Sequence, residues 1–251
     1  MILARLWLSF TTSAVQSVAF PNKSKVYNQI LQIKEYSEAN EMKLNLSKTK
    51  FMLFNPTENY DFVPNLTIDG LTLESSDEIR LLGLTIRNDL SWKSNTFNLT
   101  KRAYKKLWAI QRLKSQGANL NDLIDIYEKQ VRSILEFGVP VWNSRLTQEE
   151  VADIERVQKA FLHIVLEKEY TDYQSALEVT KLETLVYRRL KLCQKFALKS
   201  SKHPKHSKWF VKTEPGPSTR SKKPEYKIPL CRLERTSKGP IPYLTNLLNS
   251  K

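Results

Sequence analysis

"KSNTFNLTKRAYKKLWAIQRLK", residues 93–114, is where the pattern of apolar residues in this chain becomes helical. Its apolar residues recur three or four positions apart and so share one side of a helix: Leu99, Ala103, Leu107, Ile110 and Leu113. The same period continues over roughly the next hundred residues. The stretch therefore predicts a long amphipathic helix that opens a mostly helical region.

The segment before this helix combines one helical pattern with short strand patterns. A helix is predicted over residues 24–41 by apolar residues at helical spacing: Val26, Ile30, Ile33 and, less cleanly, Tyr36. The aromatic-rich run Phe51–Phe54 predicts a buried strand.

Two further strand patterns follow. "LTIDGLTL", residues 66–73, alternates around Asp69-Gly70, a dipeptide that tolerates positive φ and favours a tight hairpin. "EIRLLGLTI", residues 78–86, predicts a third strand, in which Gly83 would permit close approach of another group to the backbone.

Three helical patterns lie beyond residue 115. The first begins near Leu120, and its inward residues are Leu123, Ile124, Tyr127, Val131, Ile134 and Leu135. Thr147 and Glu150 have the spacing of a capping box, which predicts a helix start followed by Val151, Ile154, Val157 or Gln158, Phe161 and Val165. A third stripe over Leu182–Lys199 contains Leu185, Val186, Leu190, Cys193 and Phe196. Because a small strand-containing part precedes these helices, the predicted class is α+β, mostly helical.

The chain is strongly basic, with 40 Lys and Arg residues against 26 Asp and Glu residues and a formal charge of +14. Such an excess favours a polyanionic partner, nucleic acid ahead of an anionic membrane. Two cysteines 38 positions apart provide no disulfide framework, and no apolar run is long enough to span a bilayer. We therefore expect an intracellular protein of the cytoplasm or nucleus, with nucleic acid as its partner and no membrane.

The helix over residues 93–114 concentrates this charge. Residues 91–120 contain seven basic residues and no acidic one, whereas a solvated structural helix usually mixes both signs. A phosphate-facing surface is therefore favoured over a merely solvated one. Tyr104 and Trp108 could stack on sugar or base, although core packing is the more usual use of such residues.

Five blocks of this sequence together form a recognisable series: "EMKLNLSKTKFMLF", "IRLLGLTIRNDLSW", "KRAYKKLWAIQRLK", "ILEFGVPVWNSRLTQEEVADIERVQKAFLHIVL" and "RRLKLCQKFALK". In order and spacing they resemble the C-terminal half of a LINE-type (non-LTR) retrotransposon reverse transcriptase, an RNA-directed DNA polymerase. The resemblance covers about Ser24 to Phe210.

The resemblance implies a small antiparallel palm-edge sheet followed by a helical thumb and a C-terminal helical region. We accordingly divide the chain into an atypical leader over 1–20, a partial palm edge over 21–92, thumb-like helices over 93–137, a C-terminal helical region over 138–200 and a basic, proline-rich tail over 201–251. The tail holds seven of the eleven prolines and is expected to be mostly extended and separable from the helices, with one short docked helix in its last stretch.

Roles for particular residues also follow from the resemblance. Lys48, or Lys50 as the alternative, would act as general acid toward the leaving pyrophosphate. Leu82, Gly83 and Leu84 would belong to the primer grip. The thumb residues that would contact the primer–template duplex are Lys101, Arg102, Lys105, Lys106, Arg112 and Lys114.

The metal-binding carboxylates of such a polymerase are not found in the matching positions. The family holds two Mg²⁺ ions partly through a Tyr-x-Asp-Asp hairpin, expected here near residues 5–12, but no aspartate occurs before Asp61. A zinc set of Cys193, His203, His206 and Cys231 matches no compact module, so we expect no metal and no cofactor.

These observations lead to one reading and two alternatives. We expect a truncated reverse-transcriptase fragment, not an enzyme, that retains sequence-nonspecific binding of duplex or RNA–DNA hybrid and lacks the palm and fingers of the full-length chain. The alternatives are a helical protein-interaction module and a partial gene model of an active polymerase.

Overall fold

The fold is described from a computed structural model, over residues 2–7, 13–18, 23–42, 45, 48–54, 66–68, 70–214, 224–231 and 234–250. The chain divides into two compact units, Met1–Ser94 and Asn95–Lys251. The first holds the strands and the second is helical, which confirms an α+β, mostly helical class with a small sheet.

The first unit is built on a four-stranded sheet. Its strands are β1 (Ile2–Trp7), β2 (Ser13–Val18), β3 (Lys50–Leu53) and β6 (Glu74–Ser75), in the order β2-β1-β3-β6. β1 pairs antiparallel with both β2 and β3, whereas β3 pairs parallel with β6. The sheet was expected to be antiparallel, but it is mixed because β6 runs in the same direction as β3.

Helix α1 (Lys23–Ala39) and strand β3 agree with the sequence patterns. Ile30 on α1 is buried, but Tyr36 is exposed and does not belong to the inward stripe. Phe51 and Met52 of β3 are buried, as expected for a strand inside a sheet.

Strands β4 (Thr67–Ile68) and β5 (Leu71–Thr72) form the predicted tight hairpin. Gly70 has φ +77°, a left-handed conformation that glycine adopts without steric cost. The other turn residue, Asp69, lies outside the described residues.

The single strand predicted over residues 78–86 is wrong. These residues form a second hairpin, with β7 (Glu78–Leu81) antiparallel to β8 (Leu84–Arg87). Leu82 and Gly83 both have positive φ, +47° and +88°, so a two-residue turn reverses the chain. Ile79 and Ile86 face each other across the hairpin and pack against Met52 and Phe54.

The second unit consists mostly of helices. After α2 (Lys93–Ser115), whose first two residues belong to the first unit, they are α3 (Leu120–Ile126), α4 (Ser133–Leu135), α5 (Val139–Trp142), α6 (Gln148–Leu166), α7 (Tyr173–Thr180), α8 (Leu185–Lys202), α9 (Glu234–Ser237) and α10 (Pro240–Asn249). A π-helical segment, Tyr127–Arg132, joins α3 to α4. The helical patterns of the sequence are thereby confirmed, whereas α5, α7, α9 and the π-helical segment were not anticipated.

The core of this unit follows most of the predicted stripes. Tyr127 stacks on Phe161 with ring centroids 4.0 Å apart, and the predicted capping box at Thr147 and Glu150 forms with hydrogen bonds of 2.7 and 3.2 Å. Trp142 is fully buried, and its Nε1 donates to the carbonyl of Phe137 at 2.8 Å.

The predicted stripe of α8 requires a correction. Leu185 and Cys193 are buried, but Val186 and Phe196 are exposed and Leu190 is only partly buried. The buried side instead contains Arg189, whose Nε donates to Oδ1 of Asn143 at 3.0 Å. The buried side of α8 therefore follows Leu185, Arg189, Cys193 and Ala197, and Val186 lies outside it.

The end of the chain is part of the helical unit. α10 packs against α8 and α5, and it buries Leu244, Thr245 and Leu248. Asn143 Nδ2 also donates to the Tyr243 hydroxyl at 3.1 Å. The expected docked terminal helix is therefore present, and its apolar side forms part of the helical core, which argues against a tail that is separable from the helices.

Among the described residues, no helix combines the length and apolar character needed to cross a membrane.

Candidate nucleic-acid interface

One exposed side of α2 carries alternating aromatic and basic residues. At 100° per residue, six positions fall within about one quarter of the helix circumference. We call these residues the outer face of α2: Phe97, Lys101, Tyr104, Lys105, Trp108 and Arg112. All six are exposed, and they lie opposite the buried residues Leu99, Ala103, Leu107 and Ile110.

The aromatic residues of this face are not core residues, contrary to the sequence expectation. Trp108 is 63% exposed and Tyr104 is 44% exposed. Helical phase explains the difference, because at 100° per residue Trp108 lies about 140° and Tyr104 about 100° around the helix from the buried Ala103. Phe97 lies on the same face, one turn before Lys101. Its spacing of seven residues from Tyr104 is two helical turns, so the sequence already indicated that Phe97 belongs to this face.

Cations and rings on this face lie beside one another. The Lys101 ammonium is 5.6 Å from the centre of the Phe97 ring, and the Arg112 guanidinium is 5.6 Å from the centre of the Trp108 ring. Such contacts hold the side chains along the helix without neutralising their charge.

Six basic residues of α2 have no carboxylate partner among the described residues. Within the described parts of the chain, none of Lys101, Arg102, Lys105, Lys106, Arg112 and Lys114 forms an ion pair. Elsewhere in the same unit, basic side chains pair with acidic ones, for example Lys129 with Asp125 at 2.5 Å. The positive charge of α2 therefore remains available to a ligand.

α6 borders the outer face near Tyr104. Asp153 and Arg156 of α6 act electrostatically on the Tyr104 hydroxyl, whose pKa is raised mainly by partial burial. Arg156 holds Asp153 in an ion pair of 2.6 Å. The Asp153 carboxylate beside this face is thus already compensated.

The six predicted thumb residues do not all share this face. Arg102 and Lys106 are exposed on its flank, toward the side of Leu99. Lys114 is partly buried and lies four positions after Ile110, on the inward side of the helix. The structure therefore brings Lys101, Lys105 and Arg112 together but separates Lys114 from them.

The two candidate acid lysines differ in their surroundings. Lys48 is exposed, and no described carboxylate pairs with its ammonium. Lys50 on β3 forms an ion pair of 2.8 Å with Glu74, its neighbour on the parallel strand β6. Thr49 between them is buried, and its hydroxyl donates to the carbonyl of Asn45 at 2.8 Å. Only Lys48 offers an unoccupied ammonium.

The predicted primer-grip residues form the tip of the β7–β8 hairpin. Leu82 is 81% exposed, an unusual position for a leucine, while Leu84 is half-buried opposite Leu81. The positive φ of Gly83 is required by the turn itself, so the glycine is explained without close approach of another group.

The residues considered for zinc do not assemble. Cys193 is fully buried, whereas His203 and His206 stack on each other with ring centroids 4.5 Å apart. Over the described ranges, no group of three or more His, Cys, Asp or Glu side chains could hold a metal ion.

Comparison with known proteins identifies no relative: no family model, no curated protein and no solved structure matches the chain.

Proposed function

We propose that this chain binds double-stranded nucleic acid, duplex DNA or RNA–DNA hybrid, without sequence preference, through the outer face of α2. Lys101, Lys105 and Arg112 contact backbone phosphates, which carry no base information. The observation that carries the proposal is a row of exposed, unpaired cations interleaved with exposed rings on one side of one helix.

The resemblance to a LINE-type reverse transcriptase supports the same proposal. An antiparallel hairpin, β1–β2, precedes α1, where that family has its Tyr-x-Asp-Asp hairpin, and β3 then pairs with β1. In this proposal the exposed β7–β8 turn serves as the primer grip, and α2, which follows it in the chain, serves as the thumb helix. In this proposal α2 lies along the duplex.

Salt dependence of binding tests the proposal. A protein that contacts duplex phosphates releases counterions, and each contact contributes about 0.9 to the slope of log affinity against log salt. Changing Lys101, Lys105 and Arg112 to Ala should lower the slope by roughly 2 to 3 for every duplex sequence. The full chain is used, because α10 is part of the helical core.

A second triple variant controls for loss of charge alone. Lys129, Lys159 and Lys191 are also exposed, but two are ion-paired and Lys159 lies 5.0 Å from the centre of the Tyr173 ring. Replacing these three lysines by Ala removes the same number of positive charges as the α2 variant does, and it should leave the slope of log affinity against log salt nearly unchanged. Parallel salt plots for the α2 variant and the unaltered chain would contradict the proposal.

A protein-interaction module is the second candidate, favoured by a different observation. Phe137, in the turn between α4 and α5, and Val141 on α5 are both exposed, as are Val186 and Tyr187 on α8. Exposed apolar side chains of this size can serve as contacts for another protein. This candidate expects weak nucleic-acid binding with the same salt slope in all variants.

A further inference from the structure

A second exposed cluster of rings lies where α8 ends. His203 stacks on His206, and His206 stacks on Trp209 with ring centroids 4.5 Å apart and planes 9° apart. We call these three rings the His203–Trp209 ladder. Its two terminal rings are exposed, Trp209 by 37%. A planar group can therefore extend the ladder by stacking on a terminal ring.

The backbone fixes this ladder in a tight turn. The amide of His206 donates to the carbonyl of His203 at 3.0 Å, and the amide of Trp209 donates to the carbonyl of His206 at 2.9 Å. The amide of Lys205 donates to Nδ1 of His203 at 3.2 Å. This bond uses Nδ1 of His203 and leaves Nε2 as the second polar atom of the ring.

The residues after the ladder tie it to the helical core. Phe210 is buried, and Val211 accepts a hydrogen bond of 2.8 Å from the amide of Lys227. Tyr226 is in turn held by the Asn249 side chain of α10 through two hydrogen bonds of 2.9 Å. The rings are thus ordered before any ligand arrives, which lowers the entropy cost of binding.

The sequence that carries the ladder is rich in lysines for which the described residues provide no acidic partner. Residues 184–213 include no Asp or Glu, and from residue 195 onward they contain Lys195, Lys199, Lys202, Lys205, Lys208 and Lys212. None of these six lysines forms an ion pair with a described carboxylate. Lys199 and Lys202 also complement the carbonyl end of α8, but Lys205, Lys208 and Lys212 lie beyond the helix and are not explained in this way.

We propose that the His203–Trp209 ladder, with Lys205, Lys208 and Lys212, binds single-stranded nucleic acid. Unpaired bases stack on the terminal rings, and the lysines contact the phosphates between them. A duplex cannot bind in this way because its bases already stack on one another. The site uses none of the residues of α2 and does not rest on the function proposed for that helix.

Binding of a fluorescent oligo(dT) of about 20 nucleotides, followed by anisotropy, tests the proposal on the full chain. Trp209→Ala should weaken oligo(dT) binding on the order of 5- to 100-fold and change duplex binding by less than about twofold. Trp209→Phe keeps a stacking ring and should recover most of the affinity. The α2 triple variant should show the opposite pattern, with weakened duplex binding. When Trp209→Ala is added to that triple variant, oligo(dT) affinity should fall by the same factor as it does in the otherwise unaltered chain.

Ultraviolet cross-linking of oligo(dT) to the unaltered chain keeps the test valid if Trp209→Ala disturbs the fold. The cross-link should map to the peptide that contains His203, His206 and Trp209. A map without this peptide overturns the proposal, as does oligo(dT) affinity that is unchanged in a folded Trp209→Ala variant. If Trp209→Ala abolishes binding to phosphatidylserine vesicles and leaves oligo(dT) affinity unchanged, the surface binds a membrane and not nucleic acid.

Discussion

The hydroxyl of Tyr127 donates a 2.7 Å hydrogen bond to Oε1 of Gln158, and both side chains are fully buried. Nε2 of Gln158 donates in turn to the Tyr173 hydroxyl and to the carbonyl of Glu183, each at 3.0 Å. Gln158 therefore links the π-helical segment to α7 and to the turn before α8 through one satisfied polar group.

Tyr127→Phe should lower the free energy of unfolding by about 1–3 kcal/mol, because it leaves Oε1 of Gln158 buried without a donor. Chemical denaturation measures the change. Tyr104→Phe removes the same atom from an exposed position and should change stability by less than about 0.5 kcal/mol. Equal losses in the two variants would show that the buried hydrogen bond contributes little.

The β7–β8 turn provides a second prediction. Leu82 has φ +47°, a conformation that costs a branched residue about 1 kcal/mol, whereas Asn-Gly is the preferred pair for a turn with two positive φ angles. Leu82→Asn should therefore stabilise the chain by up to about 1 kcal/mol. Gly83→Ala, at φ +88°, should destabilise it by a similar amount. Thermal unfolding of both variants measures these changes. If the turn is not strained at Leu82, Leu82→Asn should leave the melting temperature unchanged.

Burial of Cys193 predicts a decrease in stability at alkaline pH. Removal from water raises the pKa of its thiol from the ordinary 9.0 to about 11. Above pH 9 the unfolded chain ionises this group while the folded chain does not, so stability should fall as pH rises from about 9 to 11. Cys193→Ala should make the fall shallower, measured by urea unfolding at several pH values. Cys231→Ala controls for removing a thiol, and identical profiles for both variants would contradict the assignment.

Polymerase activity is the subject of a fourth prediction. The proposed reverse-transcriptase resemblance would place the paired metal-binding carboxylates before α1, and the given sequence has no aspartate before Asp61. We expect no extension of a primer on an RNA template with Mg²⁺ or Mn²⁺. Incorporation above a boiled control, and lost in Lys48→Ala, would show that a complete catalytic site exists.

The features that sequence determined are those governed by neighbouring residues. The capping box at Thr147 and the Gly70 turn depend on a few consecutive positions, and both formed as predicted. The phase of α2 was also predictable, because helical geometry alone separates Leu107 from Lys101 and Arg112. The basic side of the candidate site could therefore be predicted from sequence.

Tertiary structure decided which residues the core accepted. Val186 and Phe196 of α8 are exposed, although the apolar stripe predicted from the sequence includes both. Arg189 is buried although it is charged, because the turn after α5 supplies Asn143 as its acceptor. The ladder of His203, His206 and Trp209 likewise depends on a turn held by Phe210 and α10. Composition and periodicity describe the preferences of single side chains, whereas burial depends on partners supplied by distant parts of the chain.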